Sequence, residues 1–321
     1  MKAVVIGGSG HCGSYIIPQL VQMGYEVYNI SRGTREPWTS EMPEWEKVKN
    51  ITADRKELMK ERKFGRMIAE LDPDVVVDTV AYTMEDITEL CEGLMEKPAV
   101  ASKVHLIQIG TIWIYGYKFE VPVTEDHVRN GNYGYGLLKA QIEAYLHNLT
   151  REGKIKATVV HPGHVSGRKW VPVNPQGNLN LNEYKDIKNG NEIILPDDGR
   201  PTLHHVHSYD IAGLICACIA QPDKSAGESF NSTTEKALTL RGFAELLYEY
   251  YGKEPLFKFM PFNKFRTYVS DFDAEVSFNH ISHSPVCSME KAKNLLGFVP
   301  KYSSIETIID FLEYYESQGL L

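Results

Sequence analysis

An α/β chain with a doubly wound parallel sheet, followed by a smaller mixed C-terminal lobe, is what this sequence predicts. Three observations carry that expectation. Short β-branched runs alternate with longer amphipathic stretches through the first half, several runs are apolar almost throughout, and the alternation loosens after about Pro162. Alternating β and α implies parallel strands with helices on both faces. The runs Val75-Val76-Val77 and Leu106-Ile107-Gln108-Ile109 suit strands buried from both sides.

In order along the chain, the pattern predicts strands over 2–6, 26–31, 48–52, 75–79, 104–110 and 156–161. Between them it predicts helices over 12–23, 56–71, 86–95 and 135–151, the stretch 56–71 from its charge patterning. Asp72-Pro73-Asp74 introduces the fourth strand. Further on, 171–182 reads as a polar loop rich in Asn and Pro, and helices are expected over 241–251, 289–296 and 304–317.

Composition narrows the function. With 321 residues, 43% hydrophobic and 24% charged, the chain can bury a substantial core. A net charge of -8 argues against nucleic acid, whose phosphates need clustered Lys and Arg. No stretch approaches the ~20 apolar residues of a membrane helix, and Met1-Lys2 leads straight into the first strand without a signal peptide. Five scattered cysteines without a C-x-x-C pair suit a reducing cytoplasm.

The first strand runs into Gly7-Gly8-Ser9-Gly10-His11-Cys12-Gly13, a G-x-x-G-x-x-G loop opening a helix. Such glycines let backbone turn tightly and approach a pyrophosphate, which the helix N-terminus attracts. A dinucleotide-binding Rossmann domain over 1–165 follows, with segments near 203–235 returning to it and 166–321 forming mainly a substrate-binding lobe. An NAD site places an acid at the end of the second strand. Here Asn29-Ile30-Ser31-Arg32-Gly33 has none. Ser31 can donate to a 2′-phosphate and Arg32 offers a planar charged donor set, so the site favours NADP over NAD. The alternative for Arg32 is an ordinary surface arginine.

Tyr135 and Lys139 stand one helical turn apart and share a face. A free phenol has a pKa near ~10 and is a poor base. An ammonium nearby, with oxidised nicotinamide, favours the phenolate. Thr111 follows the fifth strand, at the edge where open α/β sheets bind ligands, and can orient a reacting oxygen. Its alternative is a helix cap or loop contact.

On these motifs the chain resembles an extended short-chain dehydrogenase/reductase of the NAD-dependent epimerase/dehydratase family. Gly7-x-x-Gly10-x-x-Gly13 matches the family's cofactor loop. Gly110-Thr111-Ile112-Trp113-Ile114-Tyr115-Gly116 is similar to its Ser/Thr-x-x-Val-Tyr-Gly segment, and Tyr135 with Lys139 matches its catalytic pair. Val123-Thr124-Glu125-Asp126, His207-Ser208-Tyr209-Asp210-Ile211-Ala212 and Leu295-Leu296-Gly297-Phe298-Val299-Pro300 also fit. The resemblance implies catalytic roles for Thr111, Tyr135 and Lys139. It implies cofactor contacts from Gly7, Ser9, Gly10, His11, Cys12, Gly13, Ser31 and Arg32. Asp54 falls where the family meets the adenine, and Val80, Ala81 and Tyr82 where its fourth strand lines the cofactor. His161, Gly163 and His164 fall on the nicotinamide-side loop. A homodimer is implied too.

The sequence also departs from the family. Ile112-Trp113 stands where the dehydratases carry Asp-Glu, so a 4,6-dehydratase reaction is not expected. Leu203 and His204 stand where many nucleotide-sugar members have Arg-Asp, which weighs against a nucleotide-diphosphate sugar unless Arg168, Lys169 or Arg200 substitutes. Trp113 and Trp170 suit the walls of a substrate pocket, with core packing as the alternative. No metal is expected. His205 and His207 share a strand face, but no carboxylate or cysteine nearby completes a ligand set, and His207 reads as a hydrogen-bonded core histidine. The leading expectation is an NADP-dependent oxidoreductase acting on a small sugar-like substrate, with Tyr135 as acid/base. An epimerase that keeps its cofactor is the first alternative, and a non-catalytic NADP-binding sensor or scaffold the second.

Overall fold

Six short segments, most of them apolar, pair in parallel, and a seventh joins them from the second half. They are β1 (Lys2–Ile6), β2 (Glu26–Ser31), β3 (Lys49–Thr52), β4 (Val75–Asp78), β5 (His105–Ile109), β6 (Lys156–Pro162) and the strand Ser229–Ser232. The computed structural model describes residues 1–117, 120–131 and 134–321. The sheet order is Ser229–Ser232, β6, β5, β4, β1, β2, β3. Neighbouring side chains on a strand enter different cores. Val4, Val76 and Leu106 pack on one face with Phe64, Leu90 and Ile142. Val5, Val77 and Ile107 pack on the other with Ile16, Leu20 and Ile215. Both faces are therefore dry, as continuous apolar strands require.

The chain winds outward from β1 to β3, then crosses back to β4 on the other side of β1. That reversal opens a crevice at the carboxyl ends of β1 and β4, where ligands bind in open α/β sheets. A third core, with Tyr184, Leu195, Phe243, Leu247 and Phe311, holds much of the second half together. Among the described residues no helix is long and apolar enough to cross a membrane.

Most expected elements occur within a residue or two of their expected ends. The expected helix over 56–71 is instead two, Arg55–Lys60 and Phe64–Glu70, because Arg62 between them takes a left-handed φ of 54°. The Asn-rich stretch read as a loop gives way to a helix, Leu181–Asn189, which Asn180 caps and Gly190 ends in a left-handed turn. Helix Asp271–His283 carried no periodic apolar signal, since Phe272 and Phe278 are exposed. Tertiary contact decides such segments.

Candidate functional site

The crevice at the switch point is a cleft of about 890 Å³. Its floor is the glycine loop leading into helix α1 (His11–Gln22). Gly7 has φ +84°, and a Cβ there would lie 2.4 Å from Thr79 Oγ1, across the switch point. Gly13 packs the first turn of α1 on the loop, and its Cβ would meet Gly8 Cα at 2.5 Å. Gly7, Ser9, Gly10, His11 and Cys12 line the cleft. Gly13 lies behind them as a packing residue. Burial pushes the Cys12 thiol up to about 11. An open glycine-walled floor at a helix N-terminus fits the diphosphate of a dinucleotide.

The end of β2 contributes Ser31, Arg32 and, beyond it, Arg35 to the cleft. A side pocket next to it is lined by Ser9, Ser31, Arg35, Asn50 and Thr52. No carboxylate stands at the end of β2 itself among the described residues, so this corner offers hydroxyls and guanidinium groups, with the Glu36 carboxylate farther on in the side pocket. Asp54 lines the cleft, but its Oδ1 is already engaged as a helix cap, accepting from the N–H of Lys56 at 2.9 Å and of Glu57 at 3.3 Å. Arg55 lies below it in a buried ion pair with Asp78, 2.8 Å apart.

Val80 and Tyr82 line the cleft, whereas Ala81 is fully buried and presents its carbonyl to Lys139 Nζ at 2.7 Å. Lys139 also donates to the Ile109 carbonyl at 2.7 Å. It sits on the long helix Gly134–Arg151, one turn after Tyr135, and is 1% exposed whereas Tyr135 is 40% exposed. Burial lowers the Lys139 ammonium to about 8, against the raising pull of Asp78 and Asp86. Its Nζ lies 5.7 Å from the centre of the Tyr135 ring. Burial pushes the Tyr135 phenol up, as do Tyr82 and Cys12, while a hydrogen bond from Thr111 draws it down. Thr111 caps the following turn, Ile112–Tyr115, and also lines the cleft. Its Oγ1 accepts from the Trp113 N–H at 3.3 Å.

Gly163 and His164 reach the cleft and His161 does not. His161 is fully buried behind Thr111, whose N–H donates to its Nδ1 at 3.2 Å. Trp113 and Trp170 line the cleft, but Arg168 turns away, its guanidinium 5.2 Å from the centre of the Tyr314 ring. Trp170 lies parallel to His11 at 4.8 Å, and Trp38 packs against the same imidazole at 4.7 Å.

The three histidines considered for a metal diverge. His204 Nε2 bonds the Thr234 carbonyl at 2.8 Å, His205 Nε2 the Val173 carbonyl at 3.0 Å, and His207 Nε2 the Asp310 carboxylate at 3.0 Å. Sequence reasoning missed Val173, Leu179 and His280, which approach the cleft from the second lobe. No local motif marks them, because tertiary folding alone brings them there. It also missed Glu143, which the same four-residue spacing from Lys139 could have found.

Fold and cleft together define a Rossmann-type α/β protein with a glycine-floored crevice at the switch point and a Thr–Tyr–Lys set on its wall. The model of the NAD dependent epimerase/dehydratase family matches residues 3–232, and the chain belongs to that family. It is 22% identical to a UDP-glucose 4-epimerase of Corynebacterium glutamicum, covering 97% of this chain and 94% of that protein. It is also 22% identical to the chloroplast stem-loop binding protein of 41 kDa b of Arabidopsis thaliana, over 96% of this chain and 78% of that one. Among solved structures, the UDP-glucose 4-epimerase of Thermotoga maritima with UDP-glucose superposes with a TM-score of 0.74. Its identity is 21%, over 99% of this chain and 100% of that chain. A putative epimerase from Burkholderia cenocepacia gives a TM-score of 0.76 at 19% identity, covering 98% of both chains.

Proposed function

We propose that this protein binds NADP and exchanges a hydride and a proton with a hydroxyl or ketone of a sugar-like substrate. The observation carrying the proposal is the convergence of Thr111, Tyr135 and Lys139 on the cleft that the glycine loop floors. When bound, the nicotinamide supplies the hydride donor or acceptor. The protein's own groups do the rest. Ser31, Arg32 and Arg35 would hold the 2′-phosphate, and the glycine loop the diphosphate.

Tyr135 is protonated at neutral pH, since its surroundings push the phenol up. It is thus poised to give its proton to the oxygen of a ketone as that oxygen becomes an alkoxide. Lys139, lowered to about 8, is still mainly an ammonium at neutral pH. Two carbonyls fix its position, and its charge beside the ring stabilises the phenolate left behind. Thr111 orients the reacting oxygen. Trp113, standing where a dehydratase needs an acid, cannot protonate a leaving hydroxyl, which supports simple hydride exchange over dehydration.

A second reading, an epimerase that retains its cofactor, is favoured by the packing over the glycine loop. Trp38 and Trp170 come from different loops and both pack on His11, and Lys169 Nζ ties them together by donating to the Trp38 carbonyl at 2.7 Å. Such a clasp would slow exchange of a bound dinucleotide. Two measurements separate the readings. One identifies the nucleotide released on denaturing purified protein, and the other follows nicotinamide absorbance during turnover. Net absorbance change with exchangeable NADP supports the oxidoreductase. Turnover without net change, on tightly held nucleotide, supports the epimerase. Absence of affinity for either pyridine nucleotide rejects both.

A further inference from the structure

We infer that the substrate end of this cleft takes a neutral sugar, free or as a simple glycoside, and not a sugar carried on a nucleoside diphosphate. The inference rests on the hydride-transfer reading above and specifies its substrate. It comes from how charge and aromatic surface are distributed along the cleft.

Charge is segregated. Arg32, Arg35, Arg55 and Lys56 all line the end built from the loops after β2 and β3. Beyond Tyr135, toward the second lobe, the described lining residues include Trp113, His164, Val173, Leu179 and His280. None carries a fixed charge. Burial holds the His164 imidazole well below its ordinary range, with His280, His205 and His204 adding to the effect, and burial likewise lowers His280. Both are therefore neutral at pH 7.

Cations close by are committed elsewhere. Arg168 covers the Tyr314 ring and Lys169 donates to the Trp38 carbonyl. Arg200 pairs with Asp198 at 2.8 Å on the surface. Leu203 and His204 are fully buried, and His204 Nε2 is bonded to the Thr234 carbonyl. Among the described lining residues beyond Tyr135 none offers a diphosphate a cation, and burying unpaired charge there would be costly.

What the end does offer suits a neutral ring. The Trp113 indole lies parallel to His283 at 4.5 Å and edge-on to Tyr135 at 6.3 Å, forming an aromatic wall beside the phenol. Flat aromatic faces pack the apolar face of a sugar ring, and need no charge on it. His164 adds hydrogen-bonding capacity. Its Nδ1 accepts from the His204 N–H at 3.1 Å, which leaves the proton on Nε2, and Nε2 has no partner among the described residues. A buried donor without a partner is costly, and a neutral hydroxyl or carbonyl oxygen would satisfy it.

The test titrates full-length protein in two stages, by calorimetry. NADP, or NAD where NADP does not bind, is added first. Then the loaded protein is titrated with UDP, UDP-glucose, methyl β-glucoside and methyl β-galactoside, and the tighter glycoside is repeated on Trp113→Ala. The expected result is a glycoside bound at least about tenfold more tightly than UDP or UDP-glucose, and weakened about tenfold by Trp113→Ala. UDP or UDP-glucose binding as tightly as the glycosides, or no saturable glycoside binding, overturns the inference while leaving hydride transfer standing. Failure of both NADP and NAD to bind in the first stage removes the hydride-transfer reading itself, and this inference falls with it.

Discussion

The backbone N–H of Thr111 donates to His161 Nδ1 at 3.2 Å, so a side chain from β6 pins the end of β5 where the reacting oxygen would sit. With Nδ1 accepting, Nε2 carries the proton and faces Glu143 Oε1 at 3.0 Å. Arg129 grips the same carboxylate with two nitrogens, at 2.9 and 2.7 Å. Burial opposes ionisation of Glu143, but His161 and the Arg129 fork outweigh it and hold the carboxyl well below its usual range. A relay of fixed groups thus runs from the loop carrying Arg129, through the helix of Tyr135 and Lys139, to Thr111.

Glu143→Gln keeps the shape of this brace and removes its charge. Arg129 would then be left partly buried beside a neutral amide, and breaking such a pair is strongly destabilising. We expect a loss of about 2–3 kcal/mol, trimmed because Arg129 retains some solvent contact. Thermal unfolding reads the loss, and a melting temperature unchanged from wild type would rule the brace out. Turnover should fall with little change in KM, since the brace positions Thr111 without touching substrate.

Tyr135→Phe tests the proposed acid. It removes the only atom of that ring able to move a proton, while its fold contacts with Trp113 and Tyr82 remain. The rate of hydride transfer should drop by roughly 10²–10⁴, the usual worth of a positioned general acid. Affinity for NADP should stay within about twofold. A variant that turns over at the wild-type rate would place the chemistry elsewhere.

Arg32→Ser tests the cofactor corner. Hydrogen bonds to a charged group contribute about 1.5–3 kcal/mol, so NADP affinity should weaken by roughly 10- to 150-fold and NAD affinity should hardly move. Equal losses for both nucleotides would make Arg32 a general contact and leave the preference for NADP without support.

The framework of the fold was legible because it is written locally. Glu26–Ser31 and Ser304–Ser317 occur over the ranges their patterns predict, since each pairs a clean apolar period with clear stop signals. The glycine loop, Thr111, Tyr135 and Lys139 were legible for the same reason, each lying at a strand end or on a helix turn. His161 shows the limit. Its place in the sequence suggested the cofactor wall, yet it is a strand residue facing backward into the sheet, and Glu143 explains why. Its neighbour His164, three residues on, does reach the cleft. Val173, Leu179 and His280 could not be read at all, because what makes them lining residues is the docking of the second lobe. The break at Arg62 had a similar cause, a backbone turn that charge patterning does not encode.

Buried imidazoles make the fold sensitive to acid. Burial lowers His204, His205 and His105 to about 4, and His11 to about 3, where His207 adds to the effect. In the unfolded chain each would titrate near ~6.5. Between those values the unfolded state binds more protons than the folded one, so stability falls as pH falls. It is fully present above about pH 6.5 and is lost progressively toward pH 4, on the order of several kcal/mol in sum. Melting temperatures taken from pH 7.5 down to 4.5 should decline across that window. A flat profile would mean these side chains titrate alike in the folded and the unfolded chain.

Lys139 sets the upper limb of the pH dependence. Its ammonium, lowered to about 8 chiefly by burial, is lost as pH rises through that value, and with it the charge that steadies a Tyr135 phenolate. Reduction, which needs Tyr135 to give up its proton, should therefore run at a constant rate below about pH 7 and decline above pH 8. Lys139→Arg separates this from a general loss of structure. Guanidinium stays charged at every pH in the range, so the decline near pH 8 should vanish, although the bulkier group fits poorly between the Ala81 and Ile109 carbonyls and lowers the rate throughout. If Lys139→Arg kept the same decline, the titrating group would be some other residue and the ammonium would have no part in positioning the proton.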